Sequence, residues 1–261
     1  MKLGLEKKRA LVIGASKGLG AATAIALANE GATVIGASRS VDAISALSDQ
    51  IDPASGGSII AHALDLADPA SVTALAEALV ADGGVDIIVN NSGGPPPGEA
   101  HAVAPDTFSS QFDIMVRSLI EITQKLLPQM REKNWGRILT LTSSGVEVPL
   151  PRLAISNSLR QALVGWSKTL ANEVAADGVT VNIIVQGRIH TDRVDQLDEG
   201  NAKRQNLSVE EVRTRSKNSI PMRRYGRPEE LADTVLFLVS ERSSYITGTR
   251  IRVDGGLIAA V

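Results

Sequence analysis

The stretch Ala10-Leu11-Val12-Ile13-Gly14-Ala15-Ser16-Lys17-Gly18-Leu19-Gly20 decides the fold. Its apolar, β-branched start reads as a strand buried on both faces, and the glycines that follow read as a sharp turn into a helix extending to about Glu30. In such a unit Gly14 and Gly18 let the backbone turn tightly and approach a pyrophosphate, while Gly20 lets the helix lie against the strand. The helix N-terminus then offers unpaired N–H groups to an anion. A glycine triplet alone is a weak signal; one that follows a strand and opens a helix has the context that dinucleotide binding requires.

Outward from this unit the same alternation repeats. Short apolar runs recur at 33–35, 58–60, 85–89, 137–141, 179–185 and 250–253, which with 10–13 makes seven strands. Helical patterns fall at Val41–Ile51, Pro69–Ala81, Pro105–Arg131, Leu159–Ala176 and Pro228–Ser240, the last with a first-turn proline. Runs apolar on both faces predict a parallel sheet covered above and below, hence a Rossmann-type, doubly wound α/β fold with a seven-stranded parallel sheet. No linker or internal repeat interrupts it, so residues 1–261 read as one domain. Two stretches break the pattern, Ser92–Gly98 and Thr191–Lys217, and both read as loops around a ligand, with a lid around 190–217.

Charge and composition narrow the partners. Lys plus Arg number 27 against 29 Asp plus Glu, net −2, with no polybasic block, which argues against nucleic acid. With no cysteine there is no disulfide, thiolate nucleophile or thiolate metal site, and His62, His101 and His190 are too scattered to suggest a metal. No signal peptide and no run near ~20 apolar residues is present, which points to a cytoplasmic protein acting on a small molecule and not at a membrane. The second strand ends Gly36-Ala37-Ser38-Arg39-Ser40, where an acidic residue would select NAD by holding the ribose hydroxyls. Ser38 and Arg39, joined by Lys17, instead form a pocket suited to a 2′-phosphate, so NADP(H) is expected over NAD(H).

With these residues in place the chain resembles the short-chain dehydrogenase/reductase family, and 3-oxoacyl-acyl-carrier-protein reductases in particular, over essentially its whole length. Further landmarks are Asp65-Leu66, Asn90-Asn91-Ser92-Gly93, the segment Arg223–Glu230, Thr247-Gly248 and Val253-Asp254-Gly255-Gly256. The resemblance implies that Gly14, Ser16, Lys17, Gly18, Leu19 and Gly20 form the cofactor turn and that Asp65 and Leu66 flank the adenine. It also implies that Asn90, Ser92 and Gly93 line the cleft, and that Gly187, Ile189 and Thr191 meet the nicotinamide end. A homotetramer is expected on the same ground, with the helices at Pro105–Arg131 and Leu159–Ala176 paired across subunits and the apolar tail Gly255–Val261 either buried between subunits or packed within its own.

The family's chemistry uses a serine to orient the carbonyl, a tyrosine as general acid, a lysine one helical turn beyond it, and an asparagine that holds a relay water. Here only Ser143 is kept. The register places Ser156 at the tyrosine, Arg160 at the lysine and Met115 at the asparagine, and Gln186-Gly187 stands where Pro-Gly is usual. A serine hydroxyl is far less acidic than a tyrosine of pKa near 10, and an arginine above 12 does not shuttle protons, so Arg160 serves in binding. General acid catalysis is worth about a hundred- to ten-thousandfold, so its loss slows hydride transfer without abolishing it. Glu147, Arg152, His190 and Tyr225 are the substitute donors, and His190 is preferred because imidazole titrates near neutrality. Three functions are weighed: an NADP(H)-dependent carbonyl, alcohol or imine oxidoreductase with a non-standard proton donor; a dinucleotide-holding pseudoenzyme or sensor; and a non-redox lyase or hydrolase using the same cleft.

Overall fold

The structure is a computed structural model and describes residues 2–260. Its strands are β1 (Arg9–Ile13), β2 (Thr33–Ser38), β3 (Ser58–Ala63), β4 (Ile87–Asn90), β5 (Gly136–Leu141), β6 (Val179–Gln186) and β7 (Arg250–Val253). They form one sheet in the order β3-β2-β1-β4-β5-β6-β7, with every pairing parallel. The order reverses between β1 and β4, the switch point where ligands of such sheets bind beyond the strand C-termini.

Successive residues of each strand feed opposite layers, as the two-residue period demands. Leu11, Ile13 and Ile88 pack with α3 (Pro69–Ala81), α5 (Ser118–Glu132) and α6 (Ala154–Val174), whereas Ala10, Val12, Ile87 and Val89 pack with α1 (Gly18–Asn29), α2 (Val41–Ser45) and α9 (Pro228–Val239). Each fully buried Leu, Ile or Val contributes about 1.5–3 kcal/mol relative to exposure, which is what holds the helices on the sheet. Local signals set the helix starts. Pro69 occupies the first turn of α3, and the Asp68 carboxylate caps the helix by accepting from Ala70 N at 3.0 Å.

Two expectations are revised. The helix read over Pro105–Arg131 is α4 (Pro105–Phe112) joined to α5 by a wide π-type turn over Asp113–Arg117, which carries the buried Met115. The polar stretch 191–217, expected as a loop, is mostly a pair of helices, α7 (Asp192–Gln205) and α8 (Val209–Ser219). Their helical period is faint in the sequence because α7 buries only Val194, Asp198 and Ala202, a stripe with a charge at its centre. α8 starts on a reciprocal cap between Ser208 and Glu211. The C-terminal tail packs within its own subunit: Ile258 joins Val146, Ile183 and Val185, and Leu257 packs against Val194, Ile220 and Tyr225, while Val261 lies outside the described residues. No helix among the described residues is long and apolar enough to cross a membrane.

Candidate active site

One cavity of about 1410 Å³ opens along the C-terminal ends of the strands, from Lys17, Ser38, Arg39, Asp65 and Leu66 at one end to Ser143, Ser156 and Arg160 at the other. At the glycine turn Gly14 and Gly18 have φ of +70° and +56°, the left-handed region that glycine enters without strain. Gly20 acts in packing: a Cβ there would fall 2.1 Å from the Gly14 carbonyl oxygen. It stands behind the turn and is not on the cavity wall, whereas Gly14, Ser16, Lys17, Gly18 and Leu19 are. Lys17 precedes α1 in an extended conformation and no side chain caps the helix, so the first-turn N–H groups face the cleft unclaimed by a capping side chain. Lys17 Nζ lies 3.7 Å from Asp192 at the start of α7, with both side chains about seven-tenths exposed (70% and 72%). Ser38 Oγ accepts from Ser40 N at 3.1 Å, and Arg39 is exposed beside it.

The loop after β4 corrects one expectation. Asn90 is fully buried and donates its Nδ2 to Thr123 Oγ1 at 3.1 Å, beneath the cleft; Asn91 lines the wall instead. Asn91 Nδ2 donates to Ile13 O at 3.2 Å and tethers this loop to the end of β1. Ser92 and Gly93 line the cavity, and the Ser92 hydroxyl is buried with no hydrogen-bond partner.

At the far end Ser143 follows β5, and its Oγ accepts from Gly145 N at 3.2 Å. Ser156 and Arg160 project from one face of α6, buried at 8% and 7% exposure. Arg160 donates from Nη1 to Leu141 O at 3.1 Å and from Nη2 to Ser92 O at 3.3 Å. Burial, and next the charge of nearby Arg193, pull its pKa down to about 10, still above neutrality. Met115 is completely buried in the π turn and leaves Ile114 on the cavity wall, so no polar side chain comes from that position. Gly187, Ile189 and Thr191 line the opposite side; Thr191 Cγ2 would touch a Cβ at Gly18 at 3.3 Å.

His190, the preferred substitute donor, does not face the cleft. Its side chain is 61% exposed, with Nε2 3.4 Å from Asp195, and it is absent from the cavity wall. The segment is extended here, so Ile189 and Thr191 point inward and the residue between them points out. Glu147 is taken up by Arg252 at 2.5 Å, and Tyr225 donates its hydroxyl to Asp198 at 2.7 Å; neither lines the cavity. Arg152 does line it, paired with Glu99 at 2.9 Å. The sequence reasoning missed Arg193 and Asp198. Asp198 is fully buried and bridges Arg188 Nη1 at 2.6 Å and Tyr225, which fastens α7 to the segment after β6. A charge between Val194 and Ala202 at four-residue spacing was the available signal; Arg193 had none. No cluster of His, Cys, Asp and Glu able to hold a metal occurs among the described residues.

A parallel sheet with its glycine turn at the switch point defines a Rossmann-type fold of the dinucleotide-binding class, and comparison with known proteins agrees. The family model described as enoyl-(acyl carrier protein) reductase matches residues 14–258. The chain is 35% identical over 257 residues to an uncharacterized oxidoreductase of Bacillus subtilis (strain 168), covering 98% of this chain and 92% of the relative. It is 33% identical over 256 residues to the 3-oxoacyl-[acyl-carrier-protein] reductase of Escherichia coli (strain K12), covering 98% and 99%. Among solved structures, L-sorbose reductase from Gluconobacter frateurii, complexed with NADPH and L-sorbose, superposes with a TM-score of 0.93 at 31% identity over the whole of both chains. An NADPH-dependent reductase involved in bacilysin biosynthesis superposes at 0.92 with 28% identity, over 98% of this chain and 100% of that one. The chain therefore belongs to the short-chain dehydrogenase/reductase family and resembles its 3-oxoacyl-acyl-carrier-protein reductases.

Proposed function

We propose that the protein is an NADP(H)-dependent oxidoreductase that interconverts a carbonyl or imine with the corresponding alcohol or amine of a small molecule, without a tyrosine proton donor. The observation that carries this is the single cavity joining the glycine turn to Ser143, Ser156 and Arg160. The chain's residues fit the cofactor: the uncapped start of α1 suits a pyrophosphate, Lys17, Ser38 and Arg39 suit a 2′-phosphate, and Ser92 on the cavity wall carries a buried hydroxyl without a hydrogen-bond partner among the described residues. Relatives whose structures contain NADPH support the same preference. Asp65 and Leu66 would flank the adenine, and Gly93, Arg160, Gly187, Ile189 and Thr191 the nicotinamide half. When bound, the nicotinamide supplies or accepts hydride.

In this reading Ser143 donates to the substrate oxygen, and Arg160, cationic at neutral pH, stabilises charge developing there. The proton comes from water, because the cavity wall carries no His, Tyr, Cys or Glu, and its carboxylates, Asp65 and Asp192, lie at the adenine side and on the lid. Residues 190–217 act as the lid over one continuous domain. A homotetramer belongs to the same proposal, supported by Phe108 and Phe112, which lie exposed one helical turn apart on α4; a monomer mass by light scattering would remove it. The three replacements Met115, Ser156 and Arg160 favour a second reading, a dinucleotide-holding protein without turnover. Calorimetric titration with NADPH and NADH, followed by turnover on a carbonyl and imine panel, tests both. Tight NADPH binding with weaker NADH and measurable turnover is the expected result; binding of neither nucleotide sinks both readings, and binding without turnover of any panel member favours the second.

A further inference from the structure

Eight cationic side chains but only two carboxylates line the cavity, in a chain of net charge −2. At the β1–β2 end the excess meets the phosphates of the dinucleotide, if the oxidoreductase reading on which this inference rests is right. At the β4–β6 end no cofactor phosphate is available. There Arg152 is paired with Glu99 at 2.9 Å and Arg188 with Asp198 at 2.6 Å, while Lys203 and Arg204 are exposed on α7, where water and salt screen them.

Arg160 and Arg193 differ from these four. Neither makes an ion pair among the described residues, and their donors go to main-chain carbonyls: Arg160 to Leu141 O and Ser92 O, Arg193 from Nη2 to Pro95 O at 2.8 Å. Burial lowers the pKa of both, and the pair repel each other enough to lower Arg160 further. Arg193 lies against Gly94, where a Cβ would meet its Nε and Nη2 at 3.0 Å, so the glycine makes room for the guanidinium. Beside them stands the buried Ser92 hydroxyl without a partner. The wall here is thus rich in donors and positive charge, and an uncompensated buried charge is costly. The nicotinamide does not relieve it, because its oxidised ring is itself a cation.

We propose that the substrate carries a carboxylate received by Arg193 of the lid and Arg160 of α6, while Ser143 meets its reacting oxygen. A guanidinium and a carboxylate share a planar, two-bond geometry, and Nε and Nη1 of Arg193 make no hydrogen bond to the protein among the described residues. Arg193 is then the specificity-determining residue, delivered to the cleft as the lid packs down.

The test is a calorimetric titration, with and without saturating NADP+, using 4-methyl-2-oxopentanoate and 4-methylpentan-2-one, ketones that differ by a carboxylate against a methyl group. The acid is expected to bind at least about tenfold more tightly. Arg193→Gln should abolish that preference while NADPH affinity stays unchanged, which also reports that the fold is intact; Arg193→Lys should restore part of it, and Gly94→Ala should weaken it by displacing the guanidinium. Equal binding of the two ketones, binding of neither, or a preference untouched by Arg193→Gln overturns the carboxylate site even when NADPH binds normally. An Arg193-dependent preference in a protein that binds no NADP(H) leaves the site standing and removes the oxidoreductase reading instead.

Discussion

The two ends of the cleft carry positive charge in opposite ways. At the β1–β2 end Lys17 and Arg39 stand exposed on short turns directly after β1 and β2. At the β4–β6 end Arg160 and Arg193 come from α6 and α7, are partly or wholly buried, and hold on to carbonyl groups. An exposed cation costs little while it waits for an anion, because water solvates it; a buried one must be held by the fold and is stabilised by whatever anion enters. The first arrangement is a property of local sequence, the second of packing.

The comparison is broken most severely by putting back the missing acid. Ser156→Tyr with Arg160→Lys places a phenol beside a cation on the cavity wall, and turnover of an accepted carbonyl should rise by about a hundred- to ten-thousandfold. An unchanged or lower kcat would mean that the substrate end is shaped for chemistry in which a tyrosine has no place. At the other end, Arg39→Asp replaces a phosphate donor by a repelling carboxylate. The ratio of NADPH to NADH affinity, read by calorimetry, should fall by about a hundredfold; a constant ratio would remove Arg39 from cofactor selection. The smallest effect concerns the lid's anchor. Asp198→Asn leaves Arg188, whose side chain is 30% exposed, beside a neutral amide, and should lower the unfolding free energy by about 2 kcal/mol in urea, less than for a fully buried pair. Equal stability of variant and wild type would show that packing of Val194 and Ala202 alone holds α7 down.

Much of the fold was legible because its signals are local. Each of the seven strands overlaps its apolar run, β2 and β3 extending past theirs to Ser38 and Ala63, and α3 has the bounds that Pro69 and its period imply. Where a helix buries little the signal fades, so α7 and α8 read as loop. The glycine turn and the Ser38-Arg39 pair were legible for the same reason as the strands, since a strand followed by a turn fixes which residues reach the sheet edge. Asn90 and His190 were misplaced by one position: in extended chain, neighbours face opposite ways, and it is Asn91 on one side and Ile189 with Thr191 on the other that meet the cavity.

By itself, then, the chain's sequence determined the alternating strands and helices, the glycine turn after the first strand, and the presence of Met115, Ser156 and Arg160 at the positions the resemblance singles out. Only the tertiary structure decided that Arg160 is buried without an ion pair among the described residues, that Arg193 reaches Pro95 O, and that His190 points away from the cleft. The physical reason is that hydrophobic period and turn chemistry act between near neighbours in the chain, whereas the solvation and pairing of a charge depend on residues as far apart as Pro95 and Arg193, which only folding brings together.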